Sequence, residues 1–244
     1  AEGARVVRGR CLPYGDGITF WPLAEVVREA AGIVGEDTPN IATRKIRRLC
    51  SGEDAEAIVE RVAAAMNLSQ AQFPVPELMW GGRRLLETLA AQRPLTMIID
   101  DIHSAETTFL DFIDHLLDSV DGASILLLCS ARHEISERHP EWLGAHAADT
   151  ITLEPLTESE SGQIVEELLG SLDESVRARI TAASEGNPLY VEQIVSMLIE
   201  TGEIQRGMDG WVARGGSESI RIPPTVEALV AARLDALGQE ERAV

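Results

Sequence analysis

The sequence predicts an α/β protein, a wound parallel sheet followed by a helical subdomain, and three observations predict it. Two continuous apolar runs, Pro94–Asp101 and Ser124–Ala131, flank one amphipathic helical stretch, and the first ends in two carboxylates. A short β-prone run, Ala4–Arg8, opens the chain, and another, Asp149–Leu153, follows a longer helical excursion. After Pro155 the strand signals give way to helical periodicity. Strand, helix, strand, helical excursion, strand is the order expected of a parallel sheet with crossover helices.

The elements follow in order. Ala4–Arg8 leads into Gly9–Gly17, which is dense in turn formers. Trp21 and Pro22 open a helix, since proline suits a first helical position and Leu23, Val26, Val27 and Ala30 recur at helical spacing. Further helices are expected over Ile41–Leu49, Ala55–Ala65 and, after a loop holding Pro74 and Pro76, Glu77–Ala91. Pro94–Asp101 reads as a central strand buried on both faces. A helix over Ala105–Ser119 carries Phe109, Ile113, Leu116 and Leu117 on one face, and Asp121 with Gly122 marks a turn. Ser124–Ala131 reads as a second buried strand, with Cys129 as a small core residue. Thr157 followed by Glu158 and Glu160 is a helix N-cap signature. Helix is expected from there to about Glu203, broken at Asn187 and Pro188. Gly210–Gly216 is a small hairpin or a loop, and Ile222–Thr225 starts a last helix over Val226–Leu237.

Composition removes several function classes. The formal net charge is -19, which opposes bulk electrostatic binding to DNA or to an anionic membrane. Aromatic residues make up only 4%, so stacking platforms for single-stranded nucleic acid are not expected. The basic cluster Arg44–Arg48 reads as a solvated helix face and holds Lys45, the sole lysine. Cys11, Cys50 and Cys129 have neither metal-ligand spacing nor a pairing pattern, which favours reduced thiols and a cytoplasmic home. No apolar run approaches the ~20 residues of a membrane span, and the first residues lack a signal-peptide pattern. His133 and His139 flank acidic residues, but their spacing matches no usual zinc pattern.

The chemistry concentrates at the end of the first apolar run. Asp100 and Asp101 stand where parallel sheets bind ligands, at the carboxyl edge of the strands. Adjacent carboxylates repel unless a cation or hydrogen-bond donors intervene. They read either as ligands of a metal–phosphate site or, for Asp101 alone, as a strand-end cap for the next helix. Arg132, at the end of the following strand, reaches the same edge, either to bind a phosphate bidentately or to pair with the two acids. His103 either relays a proton or orders the strand-to-helix turn. Pro188 is either a ligand contact or a plain break between helices.

These residues resemble a family. Asp100–Ala105, read DDIHSA, is similar to the Walker B stretch of STAND-type signalling ATPases, a branch of the AAA+-related P-loop proteins. The likeness is to the modules found beside adenylate/guanylate cyclase domains or LuxR-type DNA-binding domains in bacteria. Gly9–Leu23, read GRCLPYGDGITFWPL, is similar to that group's second-strand signature. Ser130–Arg132 resembles its sensor strand, and Gly186–Tyr190 its helical-subdomain motif. Ile222–Val226 through Arg233–Leu237 resembles the entry to a winged-helix region.

The resemblance implies a P-loop NTPase core over residues 1–156, a helical lid over 157–219 and the start of a winged helix over 220–244. It implies ATP or ADP and Mg²⁺ as cofactors. Asp100 would hold the metal through water, Asp101 would polarise the attacking water, and Arg132 would contact the γ-phosphate. Gly186, Asn187 and Pro188 would contact the adenine side of the nucleotide. The implied partners are other domains of the same regulator and, in a homo-oligomer, a second copy, with no direct nucleic-acid or membrane contact from this segment.

Two departures matter. Ser104 stands where the family has tryptophan. The glycine-rich phosphate loop, GxxxxGK followed by Ser or Thr, does not occur, and Lys45 has no such glycines before it. The expectation is a piece of a larger regulator without useful ATPase activity of its own. The family places the phosphate-loop strand between the Arg132 strand and Thr150–Leu153, so a gap or an unpaired edge is expected there. The alternative function is a non-hydrolysing ATPase-like scaffold or oligomerisation module. A DNA-binding regulator fragment is a third reading, resting only on the last helix near Arg221 and Arg233.

Overall fold

A computed structural model describes residues 3–14, 19–119, 122–145, 150–207, 210–214, 220–223 and 228. The chain divides into two compact units, Ala1–Thr150 and Ile151–Val244. It is an α/β protein with a three-stranded parallel sheet in the first unit.

In the first unit, β1 (Arg5–Arg10) is followed by α1 (Trp21–Ala31), α2 (Pro39–Arg47), α3 (Ala55–Ala65) and α4 (Val75–Gln92). Then come β2 (Leu95–Asp100), a 3₁₀ turn at Ile102–Ser104, α5 (Thr107–Ser119) and β3 (Ile125–Cys129). Two short helices, α6 (Ile135–Arg138) and α7 (Pro140–Ala145), follow. The spatial order is β1-β2-β3, with Arg5 opposite Leu95 and Leu95 opposite Ile125. This register sets Arg10 beside Asp100.

Strand order equal to chain order has a consequence. Right-handed crossovers that always step in one direction put their helices on one face. The core accordingly forms on that face alone, where Val7, Met97 and Ile99 pack with Leu23, Leu86 and Phe112. The opposite face carries Val6, Leu126 and Leu128, which are 42%, 54% and 49% exposed. The expectation that β2 is buried on both faces is therefore corrected. Its burial alternates, with Leu95, Met97 and Ile99 inside and the residues between them half-buried, because among the described residues no helix covers the second face. Cys129, expected in the core, is exposed for a related reason: it ends the edge strand.

The two edges of the sheet differ. On the β1 edge the Arg8 N–H donates to Glu29 at 2.6 Å and the Arg10 N–H to Glu25 at 2.7 Å, so α1 carboxylates cap the outward amides. Gly9 permits this close seat, since a Cβ there would lie 2.3 Å from the Pro22 carbonyl oxygen. Among the described residues no strand pairs with the outer edge of β3. Thr150–Leu153, expected as a strand, takes no regular structure, and Ile151 and Leu153 are 86% and 90% exposed. Its β-branched alternation supplies propensity, but a strand forms only against a partner's amides and carbonyls. Asp149 lies outside the described residues.

Lys45 is not simply solvated. Its Nζ donates to the Gly32 carbonyl at 2.8 Å and to Asp37 at 2.6 Å, tying α2 to the loop after α1.

In the second unit α8 (Glu158–Leu169), α9 (Glu174–Ser184) and α10 (Pro188–Glu200) enclose Val165, Ile180, Val191, Ile194 and Leu198. Thr157 and Glu160 form a reciprocal capping box at the start of α8. The continuous helix expected before Asn187 is interrupted at Gly170–Asp173. Gly170 takes a φ of 71° and the Asp173 side chain caps α9. β4 (Ile204–Arg206) and β5 (Trp211–Ala213) form an antiparallel hairpin. The last helix expected over Val226–Leu237 lies outside the described residues apart from Ala228. Among the described residues no helix is long and apolar enough to cross a membrane.

Candidate functional site

The site is built from the carboxyl ends of all three strands. β2 delivers Asp100 and Asp101, β3 leads into Ser130, and β1 ends on Arg10. The β-ladder continues briefly past the strands. The Cys11 N–H donates to the Asp100 carbonyl at 2.9 Å, and the Ser130 N–H to the Ile99 carbonyl at 2.9 Å.

Ser130 joins the two acids. Its Oγ donates to Asp100 Oδ1 at 2.9 Å and accepts the Asp101 N–H at 3.3 Å. Its carbonyl accepts the Ile102 N–H at 2.9 Å. Asp101 takes a left-handed backbone, φ 56° and ψ 40°. Aspartate tolerates that region better than most residues, and its use marks a conformation imposed by the surroundings. It turns the chain sharply from β2 into the 3₁₀ turn.

Arg10 holds Asp101. Its Nε and one terminal nitrogen both lie 2.7 Å from Asp101 Oδ2. The pairing with Asp101 therefore belongs to Arg10 and not to Arg132. The sequence reading missed Arg10 as a site residue; the available signal was its position at the end of β1. Arg132 donates its backbone N–H to His103 Nδ1 at 3.2 Å. Its side chain is exposed and makes no ion pair among the described residues. His103 is buried and orders the turn, since its carbonyl also accepts from Arg138 at 3.1 Å. A neutral ring accepting at Nδ1 keeps its proton on Nε2.

Beside the turn lies an open groove of about 600 Å³, lined by Leu12, Pro13, Tyr14, Ser104, Glu106 and Arg138 among others. Thr19 hydrogen-bonds Glu106 near this wall. Behind the site, burial pushes the Cys11 thiol up to about 12, with Cys129 and then Asp101 adding to the rise. This thiol is a packing group.

Gly186, Asn187 and Pro188 lie in the second unit, between α9 and α10. Gly186 has φ 76°, and its carbonyl accepts the Leu156 N–H at 2.9 Å. A Cβ there would fall 2.4 Å from the Leu156 carbonyl oxygen. Asn187 caps α10 by accepting the Tyr190 N–H at 3.3 Å, and Pro188 occupies the first helical turn. Each residue thus has a local structural role. The same loop leaves Pro188 and Leu189 exposed.

The donor set at the acid pair consists of hard oxygens, the kind Mg²⁺ takes when it shares one or two carboxylates with water and phosphate oxygens. Asp100 and Asp101 fit that half of a site. Among the described residues no group of three or more His, Cys, Asp or Glu could hold a metal by itself. The phosphate half does not fit, because residues 1–244 contain no glycine-rich loop with its lysine. No protein-family model, curated protein or solved structure matches the chain.

Proposed function

We propose that the chain is the larger part of the nucleotide-switch ATPase module of a cytoplasmic bacterial signalling regulator, and that the phosphate-binding loop and its strand come from outside residues 1–244. One observation carries this reading: among the described residues the sheet presents an acid pair at its carboxyl edge and ends at β3, whose outer edge no strand pairs, with an exposed apolar face. Parallel sheets are stable when both faces are covered. Covering the second face requires the winding direction to reverse, which requires a strand beyond β3 whose connecting helix crosses that face. Ligands of such sheets bind where the winding reverses. A strand added beside β3 places that point next to Ser130, Asp100 and Arg132. The resemblance of DDIHSA and GRCLPYGDGITFWPL to STAND-type ATPases supports the same placement.

The residues would then divide the work. Asp100, steadied by Ser130, would hold Mg²⁺ through water, and the metal when bound neutralises phosphate charge. Asp101 would orient the attacking water. Arg132 would hold the terminal phosphate. Nucleotide-dependent contacts of Arg132 would make the first unit a switch for the regulator's other domains. Residues 1–244 alone do not fit a triphosphate.

A non-hydrolysing scaffold is the second reading, and one observation favours it: Asp101 is already neutralised by Arg10. The coding sequence preceding Ala1 separates the two. A GxxxxGK followed by Ser or Thr just upstream supports the switch. Its absence supports the scaffold.

A further inference from the structure

We propose that Arg10 is a resident cation of the acid pair, an internal competitor that a divalent metal must displace from Asp101 before both carboxylates can serve it. The inference rests on the reading of Asp100 and Asp101 as metal-side carboxylates. It adds a positioning residue, on a different strand, that decides when they are available.

The geometry supports this in three ways. First, Arg10 engages a single oxygen, Asp101 Oδ2, through two nitrogens at 2.7 Å each. Charge-assisted contacts of this kind are stronger than neutral ones. They also fill the position beside the carboxylate that an incoming cation needs. Second, the partners differ in exposure. The Arg10 side chain is 65% exposed and Asp101 only 27%. The guanidinium can swing into water at small cost, whereas Asp101 is fixed by its left-handed backbone and by the Ser130 hydroxyl that accepts its N–H. The mobile partner is therefore the arginine. Third, the base of the arginine is anchored. Its N–H donates to Glu25 of α1, and its Cα pairs in register with Asp100. The side chain can leave and return without any change in the sheet.

A switch with defined states follows. With no metal, Arg10 neutralises one of two adjacent carboxylates, which would otherwise repel. With a divalent cation, the metal takes over that neutralisation and Arg10 is released toward solvent. Arg10 thus sets a threshold for metal entry and keeps Asp101 from acting on water until the metal side of the site is filled.

The test uses this chain and Mn²⁺ alone as the probe. Mn²⁺ affinity is measured by electron paramagnetic resonance for the wild type, Arg10→Met, Asp101→Asn and the double variant. Arg10→Met is expected to bind Mn²⁺ about fivefold more tightly than wild type, near the upper end of what an exposed ion pair contributes. Asp101→Asn should remove that gain in the double variant. Equal or weaker binding by a folded Arg10→Met overturns the inference. A second measurement needs no variant at this position. In wild type, the Nε–H resonance of Arg10 should move to the position of a free guanidinium as Mg²⁺ is titrated, and a resonance unmoved at saturation also overturns it. Failure here with ATP turnover in the longer protein would remove Arg10's role and leave the ATPase reading standing. Success here without turnover would do the reverse.

Discussion

Replacing Gly186 by alanine tests whether the helix junction is as constrained as its geometry says. At φ 76° alanine enters the left-handed region, which costs roughly 1–2 kcal/mol. The new Cβ would also lie 2.4 Å from the Leu156 carbonyl oxygen and 2.8 Å from Pro155 Cβ. That is backbone and a ring, neither of which can swing aside. Relieving such a contact costs about 1–3 kcal/mol more. Part of that relief must stretch the bond from the Leu156 N–H to the Gly186 carbonyl. The sum is about 2–5 kcal/mol, or a roughly 30- to 4000-fold loss of protection at tenfold per 1.4 kcal/mol. Native-state hydrogen exchange at the buried Ile194 amide of α10 reads it directly. Gly202→Ala is the control, since Gly202 has φ 69° and nothing within 4 Å of its missing Cβ. The control should lose only the backbone part, about tenfold. Equal losses in the two variants would refute the argument that Leu156 crowds this glycine.

Two further outcomes are expected of the first unit. Lys45→Met should destabilise the unit by freeing the Gly32 carbonyl and Asp37. The hydrogen bond from Lys45, then that from the Val34 N–H, holds the Asp37 carboxyl below its ordinary value of 3.8. A carboxyl with a depressed folded-state value contributes stability that is present above the unfolded value and lost as pH falls through the folded one. The stability gap between wild type and Lys45→Met in urea unfolding should therefore be flat from neutral pH to about 5 and should shrink below about 4. A gap that grows on acidification contradicts the assignment. Ser130→Ala should cost about 1–2 kcal/mol in the same experiment, since it removes the hydroxyl that serves both Asp100 and the Asp101 N–H. An unchanged midpoint would mean that Ser130 does not hold the left-handed turn.

What could be read in the sequence was local. The apolar run into Asp100 and Asp101 has a strand's length and composition, and Asn187 and Pro188 carry their cap chemistry in their side chains. Pairings between distant elements could not be read. Arg10 and Asp101 are 91 residues apart, and only the register of β1 on β2 brings them together. The single covered face was hidden because β2 is apolar at positions facing both ways, so composition alone does not reveal which side lacks a helix. Thr150–Leu153 shows the opposite failure. Its residues favour a strand, but pairing depends on an edge that neighbouring sequence does not encode. Gly186 falls between these cases, since its sequence marks a break but not the approach of Leu156 that makes glycine necessary.

The central claim is that Asp100 and Asp101 are the metal-side half of a nucleotide site completed from outside residues 1–244. The most direct test is steady-state turnover of saturating Mg-ATP by three proteins: this chain, the longer protein that includes the residues before Ala1, and the longer protein carrying Asp101→Asn. Asparagine keeps the left-handed backbone and removes only the charge. The account predicts no turnover by the chain alone, turnover by the longer protein, and loss of that turnover in the variant. Turnover by the isolated chain would contradict it, as would turnover in the longer protein that survives the substitution.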